Sequence, residues 1–227
     1  MPNWTSNTVT ITGPKAEVLK LKKAIHTKDE DGERNFDFEK IIPMPKELWL
    51  VSGAISNWAI EAAKSVLKNG TPCKATRENY HPGKYEMPSG EIVNIATPED
   101  LVALGNRYLD NEKKYGYTDW YTWANARWGT KWNPSSSEIE ETINADGTAE
   151  LVYTFDTAWC EPTPVFEALS AKYPKVKINN KASYEDPEPW TLICTDFEKG
   201  VAVSEWTETD EDLRAEYCDD EDEDEEE

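Results

Sequence analysis

The chain has 227 residues, 38% hydrophobic and 11% aromatic, which is enough for one large domain or two small ones. No run of about 18 apolar residues is present, and the first residues lack the features of a signal peptide, so we expect a cytoplasmic protein with no membrane span. The net charge of −21 gives no positive footprint for nucleic acid, so direct DNA binding is not expected.

The first elements alternate between strand and helix. Residues 7–12 alternate polar with β-branched side chains and stop at a Gly-Pro pair, a pattern typical of a strand and its turn. Residues 15–27 place apolar side chains at helical spacing, with lysines on the other face. The acidic stretch 29–34 predicts a turn, and 36–42 predicts a second extended segment.

The middle of the chain, 46–117, favours helices. Residues 55–69 predict a helix that ends at Gly70, and 71–95 predict a long loop or a short hairpin. Thr97 is placed to cap a further helix that has proline at its first position and stops near Gly116. We therefore expect a mostly helical insertion or lobe here.

The C-terminal third favours strands again. Two extended runs around Asp146-Gly147 predict a β-hairpin, and 162–173 predict a helix with prolines in its first turn. Residues 175–183 and two runs within 191–206 read as strands. Because short turns join adjacent strands, the whole favours an α+β fold with an antiparallel sheet and helices packed on one face.

The last twenty residues, 208–227, hold fourteen acidic residues and one basic residue. Such a run repels itself and buries nothing, so we expect a disordered acidic tail after a single α+β domain at 1–207. The tail is either a solubilising segment or an electrostatic arm that steers a partner with a basic surface.

Cysteine and histidine usage predicts neither a metal site nor a cofactor. No cysteine pair has C-x-x-C spacing, only two histidines are present, and no glycine-rich phosphate loop occurs. We expect reduced thiols at Cys73, Cys160, Cys194 and Cys218.

The stretch WYTWANARWGTKW, residues 120–132, holds four of the ten tryptophans. Thr118-Asp119 predict the cap of a helix that carries it, and Gly129 predicts the turn that ends the helix. The rings could pack over the sheet. They could instead line a pocket in which an indole stacks on a flat ligand while Lys131 or Arg127 faces an anion. A protein-binding surface is the third interpretation.

Four separated motifs carry a family resemblance: MPNWTSN, FDFEKIIPMP, WGTKWN and FDTAWCEPTPVFEALSAKYP. Together they look like the YubB ferredoxin-like family of phage and plasmid proteins, over residues 1–45 and roughly 118–185. The resemblance implies a ferredoxin-like core, a variable middle region and a mobile-element origin, but no activity. Thr5, Arg127 and Cys160-Glu161 depart from the family pattern, which favours a structural role for the motif.

No catalytic constellation is evident, so we expect a protein that is not an enzyme. A carboxylate pair could be drawn from Asp37, Glu39, Asp156 and Glu161, but each acid could equally point to solvent or cap a helix. The leading expectation is a phage accessory protein that binds a host or defence protein. The alternative is a small-molecule or nucleotide-binding domain that uses the WGTKW turn. The candidate ligand- or partner-binding residues are Asn3, Trp4, Asn7, Arg127, Trp128, Thr130, Lys131, Trp132, Asp156 and Trp159.

Overall fold

The computed structural model describes residues 3–29, 32–71, 82–134, 137–185, 188, 190–211 and 214. The chain divides into two compact units, one made of 1–43 with 127–227 and the other of 44–126. The strands are β1 (Trp4–Pro14), β2 (Thr27–Asp29), β3 (Gly32–Arg34), β4 (Gly83–Glu86), β5 (Ile92–Ile95), β6 (Glu138–Ile143), β7 (Thr148–Ala158), β8 (Lys177–Tyr184), β9 (Thr191–Glu198) and β10 (Val201–Thr209). The helices are α1 (Lys15–Ile25), α2 (Ala54–Asn69), α3 (Pro98–Tyr115), α4 (Trp120–Arg127) and α5 (Thr163–Lys172).

The first unit is built on a six-stranded antiparallel sheet in the order β10-β9-β8-β1-β7-β6. The chain passes through β1, α1, β6, β7, α5 and β8, and these four strands lie in the order β8-β1-β7-β6. That succession and order define the ferredoxin-like βαββαβ core. The β9–β10 hairpin extends the sheet beyond it, and the predicted α+β class is confirmed.

The two faces of this sheet differ because side chains alternate along each strand. Val9 and Ile11 of β1, with Leu151 and Tyr153 of β7, are buried against the helices. Their neighbours in sequence point to the opposite, open face, where β1 contributes a row of serine and threonine at positions 6, 8, 10 and 12. The open face at the centre of the sheet is therefore polar.

The segment around Phe36 corrects two predictions. Residues 36–42 do not form a strand, because Phe38–Lys40 is a short 3-10 helix that the Asp37 side chain caps by accepting from the Glu39 amide. Phe36 and Phe38 both enter the core, and Asp37 between them is buried as well, whereas a strand with one open face would expose it. The stretch 29–34, predicted as a turn, contributes to the small β2–β3 hairpin.

The second unit packs α2 against α3 and the β4–β5 hairpin. Its core is formed by Leu50, Ile55, Ala59, Ala62, Met87, Ile95, Leu101, Leu104 and Tyr108. The predicted helix ends are found: Gly70 and Gly116 both adopt positive φ, and Thr97 forms a capping box with Asp100. The β4–β5 hairpin lies within the predicted loop or hairpin at 71–95, whereas Cys73 and His81 lie outside the described residues.

The compact unit 44–126 includes the predicted insertion 46–117 and adds Trp123, which is buried. At the other end of the chain, β10 continues to Thr209, so the predicted boundary at 207 falls inside a strand. Most of the acidic tail lies outside the described residues.

Candidate functional site

Three exposed tryptophans lie at the end of the sheet where β1 begins and β7 finishes. Trp4 is 42% exposed, Trp132 39% and Trp159 54%, and Trp4 pairs in register with Ala158, the last residue of β7. We call Trp4, Trp132 and Trp159 the tryptophan patch. Large exposed aromatics that lie close together are typical of interaction surfaces.

Trp4 and Trp132 form a ring pair. Their centroids are 6.3 Å apart and their planes are tilted by 37°. The Lys131 ammonium lies 4.1 Å from the Trp132 ring centroid, within the range of a cation–π interaction. The patch therefore combines two indoles with a positive charge supplied by the chain itself.

Trp159 adopts a backbone conformation that bulky residues rarely occupy. Its φ is +75°, and its amide donates a 2.9 Å hydrogen bond to the Asn3 carbonyl oxygen. Holding such a residue in the left-handed region costs on the order of 1–3 kcal/mol, and strain of this kind is concentrated at functional sites. The fold thus keeps an indole exposed here at the expense of backbone strain.

The WGTKW turn is anchored beneath the patch by buried groups. The Trp128 indole donates to the Ile42 carbonyl oxygen at 2.9 Å, and its ring packs edge-on against Phe38. The Thr130 hydroxyl donates to the Ala158 carbonyl at 2.8 Å and accepts from the Ala158 amide at 3.1 Å. Trp128 and Thr130 therefore hold the fold, and they position Lys131 and Trp132 at the surface.

Gly129 allows this turn to approach the start of α5. Its φ is +81°, and a Cβ placed there would come within 2.8 Å of the Pro164 ring. The Cys160 thiol also lies against the turn and donates to the Gly129 carbonyl oxygen at 2.9 Å. Burial, and then the neighbouring Glu161 carboxylate, raise the pKa of that thiol, which is the opposite of an activated nucleophile.

Asn7 lies in the interior and not on the surface beside the tryptophans. Its side-chain amide donates to the Thr5 carbonyl oxygen at 2.9 Å, to the Thr157 hydroxyl at 2.9 Å and to the Phe155 carbonyl oxygen at 3.3 Å. The bonds to Thr157 and Phe155 join β1 to β7 near the end of the sheet that carries Trp4. Asn7 therefore supports the patch from within the core.

Three of the four acids considered as a carboxylate pair lie in clearly different settings. Asp156 is exposed on the open face, opposite Ser6 of β1. Asp37 is buried and accepts a 2.7 Å hydrogen bond from Asn133 as well as one from Thr27. Glu161 accepts from the Tyr184 phenol, whose pKa is raised by burial and then by that carboxylate. Asp37 and Asp156 thus do not face each other.

Among the remaining candidates, Asn3 is exposed and its carbonyl oxygen accepts from the Trp159 amide, while Arg127 is exposed at the end of α4.

Glu185 was missed by sequence reasoning. Its carboxylate accepts from the Trp4 amide at 2.9 Å, and its amide donates to the Trp4 carbonyl oxygen at 3.2 Å. Only the pairing of β8 beside β1 brings it there, and no local sequence signal marks it.

Within the described part of the chain, no group of three histidine, cysteine or acidic side chains could hold a metal ion. No helix in those same ranges is long and apolar enough to cross a membrane.

Comparison with known proteins agrees with the strand order. Residues 127–227 match the family described as the ferredoxin-like domain in Api92-like protein. That part of the chain is similar to an Api92-like ferredoxin-like domain. The match leaves out β1 and α1, which complete the βαββαβ core from the N-terminal side.

Among solved structures, the crystal structure of a protein api92 from Yersinia pseudotuberculosis aligns over 92% of this chain and 98% of that chain. The two sequences are 12% identical, and the TM-score is 0.44. No curated protein matches the sequence.

Proposed function

We propose that the protein is a non-enzymatic binding protein that engages a protein partner through the tryptophan patch. Its setting would be a bacterial cell carrying a phage or plasmid, as the resemblance to the YubB ferredoxin-like family implies, and its partner a host or defence protein. The observation that carries the proposal is the exposure of three tryptophans on a turn and strand ends. Buried hydrogen bonds of the Thr130 hydroxyl to Ala158 anchor this turn.

The energetic gain from covering such residues is large enough to matter. An aromatic side chain buries roughly 150–250 Å² in full, so covering the exposed two-fifths of Trp4 or Trp132 removes about 80 Å² from water. At about 25 cal/mol per Å², each ring contributes about 2 kcal/mol, which is the scale of an interface hot spot. Since the supporting turn is already ordered, little conformational entropy is lost on binding.

Charge favours a partner with a basic surface. The protein carries a net charge of −21, and more than half of it lies in residues 208–227. Long-range attraction of this kind mainly raises the rate of association and weakens as salt is added. The tail would then steer the partner while the patch supplies the affinity.

The alternative is a small-molecule or nucleotide-binding domain, and one observation favours it. Lys131 and Trp132 together offer a ring for stacking and a charge for an anion. Against it, the ammonium already lies over that ring. The open faces of β1 and β7 also carry Ser6, Thr8 and Thr154 in place of the aromatic side chains on which sheet-based RNA readers stack bases.

Affinity capture from a bacterial lysate tests the proposal. We expect full-length protein to retain a specific partner, and the Trp4→Ala/Trp132→Ala double variant to lose it. Trp58→Ala is the matched control, because Trp58 lies in the other compact unit and is 36% exposed. Capture that survives the double variant, or that the control abolishes equally, contradicts a role for the patch.

A full-length variant with Asn and Gln in place of Asp and Glu at 219–227 isolates the tail. We expect it to slow association and to flatten the salt dependence, with little change in the dissociation rate. A changed dissociation rate with unchanged association would assign the tail to the interface itself.

A further inference from the structure

The Trp132 ring already contacts a cation from its own chain. The Lys131 ammonium lies 4.1 Å from the ring centroid, and the indole face carries the negative side of the ring quadrupole. Trp132 is 39% exposed despite this contact, so the lysine does not cover the whole residue. The face of Trp132 is thus a cation-binding surface.

Two carboxylates lie near Trp4. Glu185 is exposed, and its carboxylate is held beside Trp4 by the 2.9 Å bond from the Trp4 amide. Asp156 is exposed on the open face, two pairs along the β1–β7 register from Trp4 and Ala158. Because diagonal neighbours on one face of a sheet lie within reach of long side chains, a cation over the indoles also meets negative charge.

We propose that the tryptophan patch, with Asp156 and Glu185, is a receptor for an arginine or lysine side chain of the protein partner, and that Lys131 occupies part of this receptor in the unbound protein. The inference rests on the proposed function and names the chemistry that the partner presents. Binding then exchanges an intramolecular cation for an intermolecular one, and Lys131 lowers the affinity by competition.

The ring spacing decides where the incoming group lies. A flat group packs at about 3.5 Å from each ring, so a sandwich would require ring planes about 7 Å apart. The Trp4 and Trp132 centroids are 6.3 Å apart, and their planes are tilted. The incoming cation therefore takes the place of Lys131 on Trp132 instead of entering between the two indoles.

The same geometry disfavours a nucleotide. A phosphate-bearing ligand would meet Asp156 and Glu185 within a chain of net charge −21. Lys131 is the cation that would compensate for this repulsion. The two ligand classes consequently make opposite predictions for the loss of Lys131: a cation should bind more tightly, and an anion more weakly.

The test uses a five-residue peptide, Gly-Gly-Arg-Gly-Gly, and its counterpart with neutral citrulline in place of arginine. Binding to the full-length protein is followed by the NMR signals of the tryptophan indole N–H groups. We expect the arginine peptide to shift the Trp4 and Trp132 signals and leave that of Trp58 unchanged. The citrulline peptide, which has the same shape without the charge, should shift none of them.

Variants at Lys131 show whether the affinity for the arginine peptide rises or falls when the competing cation is removed. Lys131→Ala should raise the affinity for the arginine peptide about two- to fivefold, the range that corresponds to a solvent-exposed cation–π contact. Lys131→Arg, which retains a competing cation, should remain within twofold of the parent protein. Trp132→Leu should abolish the shift at Trp4, and its thermal unfolding reports whether the fold is intact.

Equal binding of the citrulline peptide, or no gain in affinity on Lys131→Ala, overturns the inference. If the arginine peptide fails while capture of the partner still requires Trp4 and Trp132, the receptor chemistry is wrong and the proposed function stands. If capture is independent of these tryptophans, the proposed function is wrong whatever the peptide does.

Discussion

Substitution of Thr130 by valine tests whether the buried turn supports the tryptophan patch. Valine has nearly the shape of threonine, but it cannot donate to the Ala158 carbonyl oxygen or accept from the Ala158 amide. Thr130 is fully buried, so water cannot replace the hydroxyl. Each of the two backbone groups left without a partner costs about 1–3 kcal/mol, which gives an expected loss of roughly 2–6 kcal/mol in the free energy of unfolding.

Urea unfolding measures this loss, with tryptophan fluorescence and circular dichroism recorded together because the chain has two compact units. Thr130→Ser is the matched control: it keeps the hydroxyl, loses one methyl group and should cost about 1 kcal/mol. The valine variant should also weaken the Lys131–Trp132 contact, seen as a change in the Trp132 indole signal. If valine is tolerated as well as serine, the hydroxyl does not anchor the turn.

Three further predictions concern stability. Gly105→Ala should destabilise the second unit by about 3 kcal/mol or more, the size of a severe overpacking defect, because a Cβ there would lie 1.9 Å from the Ala59 carbonyl oxygen. Hydrogen exchange within 44–126 that matches the parent protein would contradict this prediction. Trp159→Asn should leave the free energy of unfolding unchanged or raise it by about 1 kcal/mol, since asparagine tolerates positive φ. The same variant should reduce partner capture. A clear loss of stability in thermal unfolding would instead show that the Trp159 ring stabilises the fold. Burial raises the thiol pKa values of Cys160 and Cys194, so folding favours their protonated forms. This stabilisation is present below the unfolded thiol pKa of about 8.5 and is lost as pH rises through the higher folded values. A Cys160→Ala/Cys194→Ala variant should therefore lose less stability between about pH 8 and 10 than the parent protein, and an equal loss would refute the assignment.

Local sequence signals predicted the regular elements well. Alternation specified β1, the Asp146-Gly147 turn specified the β6–β7 hairpin, and the Thr97 cap with Gly116 bounded α3. Each of these depends on interactions within a few residues of the chain, so the information is present in a short window. The same reasoning failed at 36–42, where burial of Phe36 and Phe38 in the core outweighed the tendency of aromatic residues to form strands.

The tryptophans also show which features of the site the sequence predicted and which it left open. Their spacing identified a capped helix followed by a glycine turn, and it left open whether the rings form core or surface. The structure separates them: Trp123 and Trp128 are buried, and Trp132 is exposed beside Trp4. That outcome depends on the pairing of β1 with β7, which joins residues more than 150 positions apart.

The sequence by itself determined the α+β composition, most helix and strand limits, the predominance of acidic charge and the presence of a tryptophan-rich turn. Tertiary structure alone decided which indoles remain exposed, that Lys131 lies on Trp132, and that Glu185 and Asp156 border the same surface. The physical reason is that secondary structure is governed by local backbone and capping interactions, whereas a surface site is assembled by strand register. Register is fixed by burying one face of the central strands, and a one-residue shift would move Trp4 and Asp156 to the opposite face.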